Sequence, residues 1–335
     1  MRPRLKRVGE QIIVITGASS GIGMTTAGAA AARGASVVLA ARSVSELNHI
    51  TERINQRGGH AFAVACDVTR PGDVEQLAAS AVAKFGRIDT WINNAGVGAY
   101  GRLLDQPIAD KRELFDVDFW SVVYGCRAAV AQLRESGGVI INIGSQVSGR
   151  AAPLLGIYSA AKHAVKAYTD ALRMELEHDR IPVWLTLVMP GPIDTPFPQH
   201  AVNYLAHEPQ HVPPVYPPEE VARTILRCAE RPVRDIMVGG VPKVQALLAA
   251  IAPRLTDLMM ERQMISGMES RRPRESSDSL RRPSGEDYGQ RHGRHPQAGF
   301  ARSAYTRAAL HDVGRAVAFI AVAAGAAAAV SAVRR

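Results

Sequence analysis

Short runs of β-branched and other apolar residues alternate along this chain with segments of helical pattern. The strand candidates are residues 11–16, 36–40, 60–66, 89–93, 138–143, 182–188 and 235–238, and helices are predicted near 22–33, 44–56, 72–85, 110–135, 157–178 and 218–230. The strand candidates are apolar throughout instead of alternating with polar residues, which indicates strands that are covered on both faces. This pattern predicts a single α/β domain built on a doubly wound parallel sheet.

The composition changes after the predicted domain, which we place at residues 8–265. Residues 266–312 are rich in Arg, Ser, Pro and Gly and poor in large apolar side chains, and we interpret them as a disordered basic linker. Residues 313–335 are predicted as an apolar helix, because the uncharged stretch at 316–333 contains 10 Ala and 4 Val. Such a helix is either a membrane anchor, since arginines flank it on both sides, or an Ala-rich helix that docks on the domain.

The formal net charge of +9 is concentrated at the two ends of the chain. Residues 1–7 carry +4, residues 266–335 hold 12 basic and 6 acidic side chains, and residues 8–265 hold 24 basic and 25 acidic ones. Because the body is neutral and the tail lacks interleaved aromatic residues, we expect no nucleic-acid partner. The basic ends favour an anionic membrane surface instead.

The three cysteines, Cys66, Cys126 and Cys228, lie far apart and have no C-x-x-C spacing. This pattern excludes a disulfide scaffold and a cysteine zinc site, and it is typical of proteins in a reducing compartment. We therefore expect a cytoplasmic protein, held at the inner face of a membrane if the C-terminal helix is an anchor.

The turn after the first strand candidate carries three glycines, in Thr16-Gly-Ala-Ser-Ser-Gly-Ile-Gly23. Glycine permits a tight turn and a close approach of the backbone to a pyrophosphate, and the following helix N-terminus supplies free N–H groups. An ordinary strand-to-helix turn is the alternative, but it rarely needs three glycines. We expect a Rossmann-type dinucleotide site whose contacts come from Gly17, Ser19, Ser20, Gly21, Ile22 and Gly23.

Arg42 follows the second strand candidate, at a point where many dinucleotide-binding domains carry an acidic residue. An acid there binds the ribose 2′-hydroxyl and repels a 2′-phosphate, whereas an arginine pairs with the phosphate through charge-assisted hydrogen bonds. The sequence therefore favours NADP over NAD as the cofactor. The alternative is that Arg42 is a solvated residue at a strand end.

Tyr158 and Lys162 lie one turn apart on the same face of a predicted helix, and Ser145 lies 13 residues before the tyrosine. Asn93-Asn-Ala-Gly96 ends another strand candidate, and Pro190-Gly-Pro-Ile-Asp-Thr195 follows a third. Together with the glycine-rich turn and Asp67, these motifs stand in an order that resembles the short-chain dehydrogenase/reductase family. The resemblance covers residues 11 to about 240.

The resemblance implies an NADP(H)-dependent oxidoreductase that interconverts a carbonyl and a secondary alcohol. Tyr158 would be the general acid/base, Lys162 would lower its pKa and bind the nicotinamide ribose, and Ser145 would hold the substrate oxygen. The complete set of these three residues argues against a non-catalytic dinucleotide-binding regulator. The resemblance also implies a small-molecule substrate and a homodimer or homotetramer, and the wall residues named below predict that this substrate is apolar.

Further cofactor contacts are implied by the same resemblance. Asp67 would contact the adenine, and Asn94 the adenosine side of the cofactor. The backbone of Ile193 and the hydroxyl of Thr195 would hold the nicotinamide carboxamide.

Asp118 departs from the family, many members of which carry asparagine at this position. That asparagine is thought to hold a water in a proton relay that ends at the lysine. A carboxylate can accept a hydrogen bond from the same water, but its negative charge should oppose the ionisation of Tyr158. The alternative is that the relay tolerates either residue.

His207-Glu-Pro-Gln-His211 fits the H-E-x-x-H pattern of zinc proteases. That site needs both histidines on one helix face, and Pro209 between them indicates a loop, so we expect no metal. The family instead places a loop that covers the substrate between Thr195 and Tyr216. The apolar residues that we expect in the substrate walls are Leu154, Leu155, Phe197, Tyr204, Leu205 and Val215.

Overall fold

A seven-stranded parallel sheet lies at the centre of the fold. The computed structural model describes residues 5–274, 280–281, 289–294 and 299–310. In chain order the strands are β1 (Ile12–Thr16), β2 (Ser36–Ala41), β3 (His60–Ala65), β4 (Thr90–Asn93), β5 (Ala99–Tyr100), β6 (Gly138–Ile143), β7 (Val183–Pro190), β8 (Val202–Asn203), β9 (His207–Pro209), β10 (Asp235–Val238) and β11 (Glu269–Pro273). The central sheet has the order β3-β2-β1-β4-β6-β7-β10 with every pair parallel, which confirms the predicted doubly wound α/β fold.

Helices cover both faces of this sheet. They are α1 (Gly21–Ala31), α2 (Val44–Gln56), α3 (Pro71–Phe85), α4 (Ile108–Phe115), α5 (Ser121–Leu133), α6 (Gly156–His178), α7 (Phe197–His200), α8 (Pro218–Glu230), α9 (Gly240–Ile251), α10 (Pro253–Gly267) and α11 (Ala304–Ala309). A π-helical turn, Asp116–Trp120, joins α4 to α5, so the helix predicted over 110–135 contains a π turn near its middle. Short 3-10 turns lie at Val8–Glu10 and Gln146–Ser148.

The inner strands, such as β1 and β6, are buried on both faces because two helix layers enclose them, whereas the edge strand β3 is only partly buried. In β1, Ile13 and Ile15 pack into the core on the side of α1, α2 and α8, whereas Val14 packs into the core on the side of α3, α5 and α6. Successive side chains of a strand point to opposite faces. Enclosure on both sides therefore explains why apolar residues follow one another in the strand candidates instead of alternating with polar ones.

The strand order reverses beside β1, because β2 and β3 lie on one side of it and β4, β6, β7 and β10 on the other. In open α/β sheets, ligands bind at this switch point, outside the carboxyl ends of the strands. β1 leads into the glycine-rich turn, β4 into Asn94, β6 into Ser145 and β7 into the loop 191–195. The fold thus brings all four predicted motifs to one edge of the sheet.

Residue 265, where we predict the end of the domain, falls inside α10, and packed structure continues to Pro273. β11 pairs antiparallel with β9, and Arg272 forms an ion pair of 2.7 Å with the buried Glu208. The predicted apolar stretch at 316–333 lies outside the described residues. Among the helices that the structure describes, none has the length and apolar character needed to cross a bilayer.

Candidate active site

The glycine-rich turn packs directly against the end of β4. Gly17 has a φ of +65°, and a Cβ atom there would lie 2.8 Å from the Cα atom of Ala95. A Cβ atom on Gly23 would lie 2.2 Å from the carbonyl oxygen of Gly17. The side-chain amide of Asn94 donates to the carbonyl oxygens of Thr16 and Gly17, at 2.9 and 3.1 Å. Only glycine therefore fits at these two positions, and Asn94 holds the turn in place.

Two adjoining cavities lie along this edge of the sheet. The first, which we call the cofactor cavity, is lined by the predicted cofactor residues Gly17, Ser19, Ser20, Gly21, Ile22, Arg42, Asp67, Asn94 and Thr195. The second, which we call the substrate cavity, is lined by Ser145, Tyr158, Lys162 and Ile193. Ile22, Asn94 and Thr195 line both cavities, so a ligand can extend from one into the other. Gly23 lines neither cavity, since it lies beneath the turn.

Ser145, Tyr158 and Lys162 meet at the substrate cavity. Ser145 follows β6, and its side chain lies close enough to the Tyr158 hydroxyl to lower the pKa of that phenol. The Nζ atom of Lys162 lies 5.5 Å from the centroid of the Tyr158 ring and donates to the carbonyl oxygen of Ile143 at 3.4 Å. A 3-10 turn and a loop separate Ser145 from the other two residues in the sequence, and the fold brings all three to one wall of the cavity.

Asp118 lies on the π-helical turn and is fully buried beside Lys162. Its Oδ2 atom is 3.4 Å from the Lys162 Nζ atom, and its Oδ1 atom accepts a hydrogen bond of 2.7 Å from the Val97 N–H. Burial raises the pKa of the Asp118 carboxyl, and Lys162 and the Val97 N–H offset part of that rise. The buried lysine charge is thus balanced by a carboxylate of the same chain.

The pKa of Tyr158 is raised above its usual value. Burial is the largest cause, the charge of Asp118 adds to it, and the side chain of Ser145 acts in the opposite direction. A phenol in this setting ionises near neutral pH only when further positive charge comes close to it.

Arg42 and Asp67 line one end of the cofactor cavity, which we call the adenosine end because we predict that the adenosine binds there. Arg42 is half-buried, and its Nη1 atom donates to the carbonyl oxygen of Leu280 at 2.8 Å. The Oδ1 atom of Asp67 accepts from the N–H and the hydroxyl of Thr69, at 3.1 and 2.8 Å. The C-terminal part of the chain therefore reaches the residue that we predict to bind a 2′-phosphate.

The walls of the substrate cavity are mostly apolar, and the sequence predicted only some of them. Leu155 and Phe197 line it as expected. Leu154 and Leu205 pack behind the wall, Tyr204 hydrogen-bonds Asp110, and Val215 pairs with Gly299. Lining residues that the sequence analysis missed are Tyr100, Val147, Val212, Met264 and Met268. Met260, Met264 and Met268 recur at a spacing of four residues, a helical signal that could have identified α10.

The H-E-x-x-H segment forms a strand and a loop, as the proline indicated. His207 contacts Glu269 on β11, and Glu208 pairs with Arg272. His211 lines the substrate cavity, and its ring stacks on that of Phe197 with the centroids 6.5 Å apart. Burial lowers the pKa of His211 to about 4, so its imidazole is neutral at physiological pH. Within the described residues there is no cluster of side chains suited to a metal ion.

Comparison with known proteins gives four matches that bear on this site. Residues 11–204 match the family model described as short chain dehydrogenase. The uncharacterized oxidoreductase YxnA of Bacillus subtilis (strain 168) is 44% identical over 273 residues, which are 81% of this chain and 77% of that protein. The 11-beta-hydroxysteroid dehydrogenase A of Sesamum indicum is 34% identical over 240 residues, 68% of each chain. The structure of an alcohol dehydrogenase from the archaeon Thermococcus sibiricus, complexed with 5-hydroxy-NADP, has a TM-score of 0.60 at 28% identity and covers 68% of this chain and 95% of its own.

Proposed function

The chain belongs to the short-chain dehydrogenase family, and on this premise we propose that it is an NADP(H)-dependent oxidoreductase that interconverts a carbonyl and a secondary alcohol. Membership makes it an NAD(P)-dependent dehydrogenase that acts on CH–OH groups of small molecules. The finer proposal rests on one observation: Ser145, Tyr158 and Lys162 line a cavity that adjoins the glycine-rich turn.

Tyr158 is the general acid/base in this proposal. In oxidation its phenolate accepts the proton of the alcohol, and in reduction its phenol donates a proton to the carbonyl oxygen. Ser145 lies close enough to the Tyr158 hydroxyl to lower the pKa of the phenol, so an oxygen held by the serine hydroxyl is close to Tyr158. The nicotinamide, when bound, takes up or gives the hydride.

Lys162 acts through its charge and its position. Its ammonium lies 5.5 Å from the Tyr158 ring, which favours the phenolate over the phenol. Asp118 and the Ile143 carbonyl oxygen, each 3.4 Å from the Lys162 Nζ atom, hold the ammonium in position. Lys162 would also hold the nicotinamide ribose, since it lines the substrate cavity next to Gly96, a residue that lines both cavities.

The residues that line the cofactor cavity are suited to binding a dinucleotide. Gly17 and Gly21, both at positive φ, allow the backbone to form the tight turn at which N–H groups would meet a pyrophosphate. Asp67 would bind the adenine, and Ile193 and Thr195 the carboxamide. Arg42 at the adenosine end favours a 2′-phosphate, and the similar archaeal dehydrogenase was solved with an NADP derivative.

The substrate that suits this site is an apolar carbonyl compound or alcohol. Val147, Leu155, Phe197, Met264 and Met268 surround the reacting groups with apolar surface. The similar Sesamum indicum protein is named for a hydroxysteroid, a substrate of the same apolar character.

The proposal is tested by turnover. Purified protein is expected to oxidise NADPH in the presence of a panel of apolar ketones, followed by the loss of NADPH absorbance. Tyr158→Phe should lower kcat by roughly a thousandfold or more, because it removes the proton donor. Tyr168→Phe, on the same helix but packed against Phe119, is the matched control and should leave kcat unchanged. Equal activity of Tyr158→Phe and the unmodified protein would refute the proposed role, and no turnover by either would favour the non-catalytic regulator.

A further inference from the structure

Described parts of the C-terminal segment lie along the cofactor cavity. Leu280 and Arg281 lie at its adenosine end, and residues 289–294 lie at the glycine-rich turn. Beyond them, Gly299 pairs with Val215, and α11 packs on β10 and α9. The chain thus returns across the cleft after it has completed the domain.

The adenosine end of this segment is anchored by an apolar side chain and by charges. Leu280 is 5% exposed and packs with Val97 and Val117, two residues that also line the cofactor cavity. Arg281 forms ion pairs with Asp110 and Glu113 on α4, at 2.6 and 3.0 Å. Burial of the Leu280 side chain stabilises the contact and fixes the position of the segment on the domain.

At the glycine-rich turn, the backbone of the segment forms hydrogen bonds with the turn itself. The N–H of Gly21 donates to the carbonyl oxygen of Gln290 at 2.9 Å, and the N–H of Gly289 donates to the carbonyl oxygen of Ser19 at 2.9 Å. Gly21 opens α1, where free N–H groups and the helix dipole attract an anion. The Gln290 carbonyl oxygen therefore accepts a hydrogen bond from the Gly21 N–H, a group that could otherwise donate to a phosphate oxygen.

At Arg42, too, a carbonyl oxygen of the segment occupies the place that we expect for a phosphate oxygen. Its guanidinium donates to the Leu280 carbonyl oxygen, at the residue that would bind a 2′-phosphate. A carbonyl oxygen carries only a partial charge, whereas a phosphate carries a full one and forms stronger hydrogen bonds with arginine. The segment is therefore a weaker ligand for both donors than a dinucleotide would be.

We propose that the C-terminal segment containing Leu280 and residues 289–294 is an intramolecular competitor of the dinucleotide, bound to donors that line the cofactor cavity and displaced when the cofactor binds. The inference rests on the proposed function only in requiring that this cavity takes a dinucleotide. Because the two ligands share the Gly21 N–H and the Arg42 guanidinium, they exclude each other. The apparent Kd for the cofactor then exceeds the intrinsic Kd by the inverse of the open fraction.

Leu280→Asp tests this competition, because a buried carboxylate should expel the segment from its seat. We expect the Kd for NADPH, measured by fluorescence titration of the full chain, to fall roughly tenfold with kcat unchanged. The matched control is Leu104→Asp, the same chemical change at a leucine that is 97% exposed, which should leave the Kd as it is. Gly289→Val is a second variant, since Gly289 has a φ of +80° and a Cβ there would lie 2.8 Å from Glu46 Oε2.

A second readout follows the segment itself. In the unmodified protein, NADPH should accelerate trypsin cleavage after Arg291 and Arg294, identified by mass spectrometry, because the displaced segment becomes accessible. Equal Kd values for Leu280→Asp, Gly289→Val and the unmodified protein, with cleavage unaffected by NADPH, would overturn the competition and leave the proposed function intact. Failure of all variants to bind either NADPH or NADH would overturn both.

Discussion

One buried carboxylate, Asp118, governs the charge around the proposed acid/base. Its negative charge raises the pKa of Tyr158, and oxidation of an alcohol needs the phenolate. Asp118→Asn keeps an oxygen that can accept from the Val97 N–H but removes the charge, so the pKa of Tyr158 should fall. We expect the rise of kcat/KM with pH in the oxidative direction to move to lower pH by about one unit.

The measurement is a pH–rate profile of both proteins with one alcohol at saturating NADP. Asp116→Asn is the control, because Asp116 lies on the same π-helical turn but is exposed. Superimposable profiles for Asp118→Asn and the unmodified enzyme would show that the proton relay tolerates either residue.

Arg42 is the residue on which cofactor choice depends. Arg42→Asp places a carboxylate where we expect the 2′-phosphate, so it should repel NADPH and accept the ribose hydroxyls of NADH. The ratio of kcat/KM for NADPH to that for NADH should fall by about a hundredfold. Because Arg42 also contacts Leu280, the ratio is the informative quantity: displacement of the C-terminal segment affects both cofactors equally. Arg57→Asp, an exposed residue after α2, should leave the ratio unchanged, and an unchanged ratio in Arg42→Asp would refute the NADP assignment.

At the scale of elements, the turn between β1 and α1 depends on Gly23, which lines neither the cofactor cavity nor the substrate cavity. Gly23→Ala would bring a Cβ atom within 2.2 Å of the Gly17 carbonyl oxygen, so the turn must shift. We expect the Kd for NADPH, measured by calorimetric titration, to rise at least about tenfold. Gly28→Ala on the same helix meets only the flexible Arg291 side chain at 3.4 Å, and should bind NADPH normally with an unchanged or higher Tm. Equal Kd values for the two variants would contradict this account of the turn.

The elements that the sequence predicted are those whose signal is local. The strands of the sheet are apolar because both faces are covered, and the Tyr158–Lys162 pair needs only one helical turn to share a face. For these features a short stretch of sequence is enough to show the pattern that predicts the structure.

The missed elements depend on partners that are distant in sequence. β11 is the charged stretch Glu269–Pro273, which forms a strand only because β9 offers an edge and Glu208 a partner for Arg272. The place of His211 at the substrate cavity likewise follows from its stacking on Phe197, which no spacing rule contains. Composition predicted a disordered linker after residue 265, because the segment is polar and poor in large apolar side chains. Its sequence contains no signal for the distant surface of the domain on which its described parts pack.

For the whole molecule, the distribution of charge separates two roles. The body from residue 8 to 265 holds 24 basic and 25 acidic side chains, so two copies of it do not repel each other. The excess positive charge lies at the ends, and part of it, in Arg281, holds the C-terminal segment on α4. Net charge therefore does not oppose self-association of the body, and an exposed apolar surface can drive it.

α5 and the π-helical turn before it offer such a surface. Trp120 is 44% exposed, and its ring stacks on that of Tyr124 with the centroids 6.2 Å apart, while Cys126 and Ala129 on the opposite side of α5 are fully buried. We expect a homodimer or homotetramer that buries this aromatic pair. Trp120→Asp would place a charge in the interface, where it costs far more than at an exposed site, so the dissociation constant of the assembly should rise by about a hundredfold or more.

Sedimentation velocity at micromolar protein measures this change directly. The unmodified chain should sediment as a dimer or tetramer and Trp120→Asp as a smaller species, with the secondary structure unchanged by circular dichroism. Ile108→Asp, at a side chain that is 61% exposed on α4, is the matched control and should retain the assembly. If Trp120→Asp sediments like the unmodified chain, the aromatic pair is a surface feature of each copy and the assembly must use another face.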